Sequence, residues 1–289
     1  MIKLSNAELI AQLQSVTQDL SFVSESDYPF DIFVHEVSTQ GELTVEKLLE
    51  AGNCLNLVDR DDVLEKVREI APETTQIYRE IIDLIESTAS KLEIYQIKIN
   101  DESGEYEAFQ IFIIQTENGD WLGFAPKIEA EPSSRRSEKI QITDNTQISP
   151  SAIELKSKLE LLLSQLKFIV TEYYEPNQIK QGFILEIAAT KSDVIYKLLD
   201  SLGFLKVCNF KKFSDYLDFD EKDYLNNPEF LEQIRQIHQQ YQSLDNFLES
   251  NLSNLREYVL GGMAVYYLYN IGQTQEGDWV GIATTAIWT

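Results

Sequence analysis

A chain of 289 residues that is 43% hydrophobic and 25% charged holds enough apolar material for one or two packed cores and is not a disordered segment. Its formal net charge of -24 and pI near 4.4 argue against direct binding of nucleic acid, whose phosphates would be repelled, and suit a basic partner. Two cysteines, Cys54 and Cys208, make no disulfide framework, no apolar run approaches a membrane span, and the start of the chain lacks a leader's pattern, so a soluble cytoplasmic protein is expected.

In chain order, Ser5 to Glu8 reads as a capping box opening an amphipathic helix with Leu9, Leu13, Val16 and Leu20 on one face. The stretch LSFVSESDYPFDIF, Leu20 to Phe33, ends that helix at a Ser-Glu-Ser-Asp turn closed by Tyr28 and Pro29, and PFDIFVHEV alternates as a strand. A short helix around KLLE closes near Gly52 and precedes the strand LNLVD; two more helices, DDVLEKV and TTQIYREIIDLIESTASKL, follow. The strand YEAFQIFIIQT, the turn ENG and the strand DWLGFAPKI then form a hairpin, with Asn118-Gly119 as its turn signal. Residues 132–149 are polar, lack periodicity and read as a linker. Ser149-Pro150 supplies an N-cap and an N1 proline for the next helix, and GFILEIAAT, KLLDSLG, LKVCNF and PEFLEQIRQIHQQYQSLDNFLESNL continue the strand and helix order. Cys54 and Cys208 fall in apolar runs and read as buried strand residues.

The order repeats. GDWLGFAPKI from Gly119 matches GDWVGIATTAIWT from Gly277, LNLVDRDDV from Leu55 matches LKVCNFKKF from Leu205, and KLLEAG from Lys47 resembles KLLDSLG from Lys197. QLQSVTQDLSF from Gln12 has the apolar spacing of KLELLLSQLKF from Lys158, and Ser24-Glu25 followed by Pro29 matches Thr171-Glu172 followed by Pro176. The period is domain-sized, so the chain divides into two homologous domains, 1–131 and 150–289, joined by the linker 132–149. Each is expected to be α+β, a three-layer α/β/α sandwich with a mixed sheet and a C-terminal antiparallel hairpin. Residues 1–131 carry 27 acidic against 9 basic side chains and residues 151–289 carry 19 against 12, so the first repeat is the strongly acidic one.

Enzyme chemistry finds little support. His35 sits on a strand and His238 on a polar helix face, neither with a metal-ligand partner at the expected spacing, and no Walker loop, GxSxG elbow or GxGxxG is present. Ser24 or Ser26 as a nucleophile needs a base within reach, and Glu25 with Asp27 offers paired carboxylates for acid–base work or magnesium; a turn and capping role competes with both. Glu25 stands out because Glu172 recurs at the matching position. At the chain end, Trp288 and Thr289 close an apolar strand, presenting a carboxylate beside a hydroxyl.

The helix followed by SESDYPF, the strand LNLVDRDD and the ending GIATTAIWT resemble the nuclease A inhibitor family, cyanobacterial proteins that block a magnesium-dependent, sugar-nonspecific nuclease. The resemblance covers each repeat nearly end to end and implies a fold similar to the pathogenesis-related-1 sandwich. It also implies a non-enzymatic protein with no cofactor, no metal of its own, no membrane and no small-molecule substrate. In that family the turn glutamate and the terminal threonine enter the nuclease site, the threonine acting toward the partner's metal. Those roles fall on Glu25, Glu172 and Thr289, with Tyr224 as the aromatic contact and Trp288 beside the terminus. Only the second repeat ends in a free carboxylate, which points to Glu172 with Thr289 as the working pair. A protein-binding module that kept the fold without the nuclease, and a hydrolase built on Ser24 or on Glu25 with Asp27, remain as alternatives.

Overall fold

The computed structural model describes residues 4–101, 104–128, 148–172, 175–216, 227–261 and 265–287. In the first repeat these form α1 (Asn6–Thr17), β1 (Ser21–Phe22), β2 (Tyr28–Pro29), β3 (Asp31–His35), α2 (Val37–Gln40), α3 (Val45–Ala51), β4 (Leu55–Val58), α4 (Arg60–Ile70), α5 (Thr75–Thr88), β5 (Ala89–Asp101), β6 (Gly104–Thr116) and β7 (Trp121–Pro126). The second contributes α6 (Pro150–Leu163), β8 (Lys167–Glu172), β9 (Glu175–Gln181), β10 (Phe183–Ala188), α7 (Lys191–Ser201), β11 (Leu205–Asn209), α8 (Pro228–Asn251), β12 (Ser253–Leu260), β13 (Val265–Gln273) and β14 (Trp279–Ile287).

Local signals are realised as read. Ser5 accepts from the Glu8 amide while the Glu8 carboxylate accepts from the Ser5 amide, completing the capping box of α1. Ser149 accepts from the Ala152 amide at the start of α6, with Pro150 in the first turn. Gly119 turns the β6–β7 hairpin at φ +89°, and Gly277 turns the matching one at φ +91°, a region where a side chain is strained.

The repeats are not self-contained. One compact unit comprises residues 1–43, 207–259 and 266–289; the other comprises residues 44–206 and 260–265. The division 1–131, 132–149 and 150–289 therefore describes the duplicated segments, and both units cross it; the linker falls largely outside the described residues. One sheet runs β11-β12-β13-β14-β3 and the other carries the path β10-β7-β6-β5-β4, with β8 and β9 branching from β6. The two paths have the same order once β3 and β10 change places. Each repeat lends one strand to the last strand of the other, β3 along β14 and β10 along β7.

The sheets are antiparallel in every pair whose register is described, which corrects the expected mixed sheet in those pairs. The helical excursion α4–α5 returns the chain antiparallel along β4, and the exchanged strands also enter antiparallel.

Packing follows the exchange. In the first unit, Leu9 and Leu13 of α1 with Phe22 and Phe30 share a core with Tyr241, Leu244 and Leu248 of α8. In the second, Leu155, Leu159 and Leu163 of α6 share a core with Tyr78, Ile81 and Ile85 of α5. Every one of these cores is a composite of both repeats.

The Gly-Asp-Trp motif explains part of the fastening. The Asp278 carboxylate accepts from the Asn6 side chain at 2.6 Å and from the Val37 amide at 2.8 Å, tying the β13–β14 turn to segments of the first repeat. Asp120, 8% exposed, accepts from the Ser149 amide at 3.0 Å, the reciprocal tie. In the second unit Lys191 of α7 reaches Glu46 at 2.9 Å, Glu93 at 3.0 Å and the Tyr95 hydroxyl at 2.6 Å, all residues of the first repeat. Partial burial pushes the Glu93 carboxyl upward, but Lys91 and Lys191 outweigh it and hold the group below its ordinary value.

Charge divides differently once the exchange is counted. The first unit carries 19 acidic against 6 basic residues and the second 29 against 18, so the acidity concentrated in the first repeat is spread over both units.

Candidate functional site

The turn between β1 and β2 is anchored from below by aromatic rings. Phe22 and Phe30 meet edge to face at 6.4 Å, and each also meets Phe213, at 6.1 and 5.1 Å. Phe30 contacts Tyr241 at 6.3 Å. Such pairs contribute about 0.5–1.5 kcal/mol each beyond area burial, enough to give the short β1–β2 ladder a rigid base. Burial and then the charge of Asp27 push the Tyr241 phenol up to about 12, keeping it a donor to the Ser21 carbonyl.

Above this base, residues 23–27 form the turn, with Glu25, Ser26 and Asp27 exposed. The Ser24 hydroxyl donates to the Ser26 carbonyl at 2.5 Å. The turn is also bound to the last described strand. β14 pairs with β3 from Trp279 to Ala283 and then continues past the β1–β2 hairpin. There the Thr284 hydroxyl donates to the Pro29 carbonyl at 3.0 Å, the Ile287 amide donates to the Ser24 hydroxyl at 3.3 Å, and the Glu25 amide donates to the Ile287 carbonyl at 3.0 Å. A turn from the first repeat and the terminal strand of the second thus share one edge of one unit.

Glu172 stands elsewhere. It ends β8, in register with Glu175 of β9, within the other unit. The hairpin there runs from Lys167 to Gln181, and Thr171, which matches Ser24 in sequence, is in register with Ala108 of β6. Tyr224, Trp288 and Thr289 lie outside the described residues.

His35 is 3% exposed, with its Nε2 2.8 Å from the Gly41 carbonyl. Cys54 is buried and its thiol is pushed up to about 12 by that burial, which leaves it a poor nucleophile; Cys208 is only half-buried, less than the apolar run predicts. Among the described residues no group of three His, Cys, Asp or Glu side chains is placed to hold a metal ion, and no helix is long and apolar enough to cross a membrane. Buried Asp245 on α8, absent from the sequence reading, accepts from the amides of Phe213 and Ser214 and from the Ser214 hydroxyl. It fixes the 3₁₀ turn that carries Phe213 under the Glu25 turn; in sequence its only signal is a lone acid between Leu244 and Asn246.

These features define an α+β protein of exchanged antiparallel sheets, with a turn of the first repeat and β14 of the second on one edge. The chain belongs to the nuclease A inhibitor-like family, whose model matches residues 7–129 and 175–289. The first match includes Glu25, and the second begins past Glu172. No curated protein matches the chain.

Proposed function

We propose that the protein is a cytoplasmic, non-enzymatic inhibitor of a magnesium-dependent, sugar-nonspecific nuclease, with each unit a three-layer sandwich similar to the pathogenesis-related-1 fold. It acts as an acidic substrate mimic: Glu25 and Thr289 enter the nuclease's basic groove, Thr289 toward the partner's metal. A carboxylate near a bound magnesium ion exploits the largest local charge of such a site. The single observation that carries this reading is the hydrogen bond from the Glu25 amide to the Ile287 carbonyl at 3.0 Å. Thr289 follows two residues on, a reach of at most about 7 Å.

In this reading the working glutamate is Glu25, supplied by the first repeat to the terminus of the second, and not Glu172. Tyr224 and Trp288 remain proposed contacts. The surplus of 19 acidic over 6 basic residues in this unit would steer a basic partner toward it. Deleting Thr289 is expected to weaken inhibition by roughly tenfold or more, because the residue proposed to face the partner's metal is removed. Titration against such a nuclease measures this; unchanged potency rules out the terminal mechanism.

A further inference from the structure

We propose that Ser24 is the positioning residue that holds the end of β14 against the Glu25 turn, an inference that rests on the inhibitory reading above. A serine hydroxyl has one proton and two acceptor lone pairs. At position 24 the proton goes to the Ser26 carbonyl, and a lone pair receives the Ile287 amide. The neighbouring Glu25 amide takes the Ile287 carbonyl. Both backbone polar groups of Ile287 are therefore satisfied by residues 24 and 25.

The position explains why a side chain is needed. Strand pairing of β14 with β3 ends at Ala283 and Asp31, so the residues beyond lack a regular ladder partner in β3. Thr284 answers this with its own hydroxyl on the Pro29 carbonyl. Ile287 is 8% exposed, which leaves its amide little access to water if Ser24 is removed. One hydroxyl thus sets the turn, through Ser26, and docks the strand, through Ile287. A change in it therefore acts on both the Glu25 turn and the Ile287 end of β14.

The matching residue of the second repeat is Thr171, and the position that matches Ile287 lies outside the described residues. Thr171 lies on a ladder opposite Ala108, and the strand equivalent to β14 runs on from Pro126 to Lys127, whose amide donates to the Gly182 carbonyl.

The test uses the full-length chain with Ser24→Ala and Ser24→Thr, each assayed as an inhibitor of a magnesium-dependent, sugar-nonspecific nuclease. Thermal stability and amide exchange at Ile287 are measured in parallel. Ser24→Ala is expected to weaken inhibition roughly tenfold, the worth of about one hydrogen bond in positioning. It is also expected to deprotect the Ile287 amide while leaving core amides such as Leu244 protected. Ser24→Thr, which keeps the hydroxyl, is expected to restore most of both. The inference is overturned if Ser24→Ala leaves inhibition intact, if Ile287 stays protected, or if lost inhibition tracks global instability and threonine does not rescue it. Failure of the wild type to inhibit at all would sink the inhibitory reading and the functional role with it. The exchange measurement would then still decide whether Ser24 holds the strand.

Discussion

Cut once within residues 132–149, the chain is expected to remain a single particle, and neither fragment, separated in denaturant, is expected to fold alone. The fragment ending before the cut carries α1, β1, β2 and β3 with nothing of its own to cover them. Leu9, Leu13, Leu20, Phe22 and Phe30 all pack in a core completed by residues beyond Val207. Burying a large apolar side chain contributes about 1.5–3 kcal/mol. Losing five such side chains from their core removes on the order of 10 kcal/mol, comparable to the whole stability of a domain. The second fragment suffers equally, since α6 and β10 rest on α5 and β7. Size-exclusion chromatography of the nicked protein checks this: one peak at full mass is expected, and remixing separated fragments is expected to restore it. Two folded particles of half the mass would contradict the exchange.

The second large effect is expected at Gly281. An added Cβ there would lie 2.1 Å from the Asn270 carbonyl oxygen and 2.7 Å from the Ile271 Cα, so the obstacle is backbone of the adjacent strand. At the matching position, Gly123, the added atom meets only side-chain tips: Ile113 at 3.1 Å, Val194 at 3.3 Å and Leu198 at 3.4 Å. Side chains can give by a few tenths of an ångström, whereas a paired strand cannot move without loosening its ladder. Gly281→Ala is therefore expected to cost about 3 kcal/mol or more, at the top of the overpacking range, and Gly123→Ala about 1 kcal/mol. Thermal unfolding of the two variants side by side measures the difference; equal shifts would mean that β13 and β14 approach less closely than described.

Much of the local structure was legible from residue types. The Ser5–Glu8 capping box, the Ser149-Pro150 helix start and the Asn118-Gly119 hairpin are short-range signals whose physics is complete within a few residues. The exchange was not legible. PFDIFVHEV and GFILEIAAT specify which faces are buried, yet either strand presents the same pattern to either copy of the partner strand. A duplicated chain thus has two locally equivalent solutions, and hydrophobic periodicity does not separate them.

The candidate site divides the same way. The SESDYPF turn and the exposed glutamate could be read directly, because the polar run is flanked by apolar Phe22 and Phe30; the helix itself ends earlier, at Thr17, and β1 intervenes. Its neighbour could not: Ile287 lies 263 positions from Ser24, and pairing within each repeat led instead to Glu172 with Thr289. The charge asymmetry misled for the same reason, since counting by repeat assigns α1 to α5 to one body.

The central claim is that the inhibitory edge joins Glu25 of the first repeat to the terminus of the second. A titration of a magnesium-dependent, sugar-nonspecific nuclease with Glu25→Gln and Glu172→Gln, both in the full-length chain, tests it most directly. The account predicts that Glu25→Gln weakens inhibition by roughly a hundredfold, about 2–3 kcal/mol for a charge lost from a desolvated contact, while Glu172→Gln stays within a few-fold of wild type. The reverse order, with Glu172→Gln crippled and Glu25→Gln intact, would contradict it.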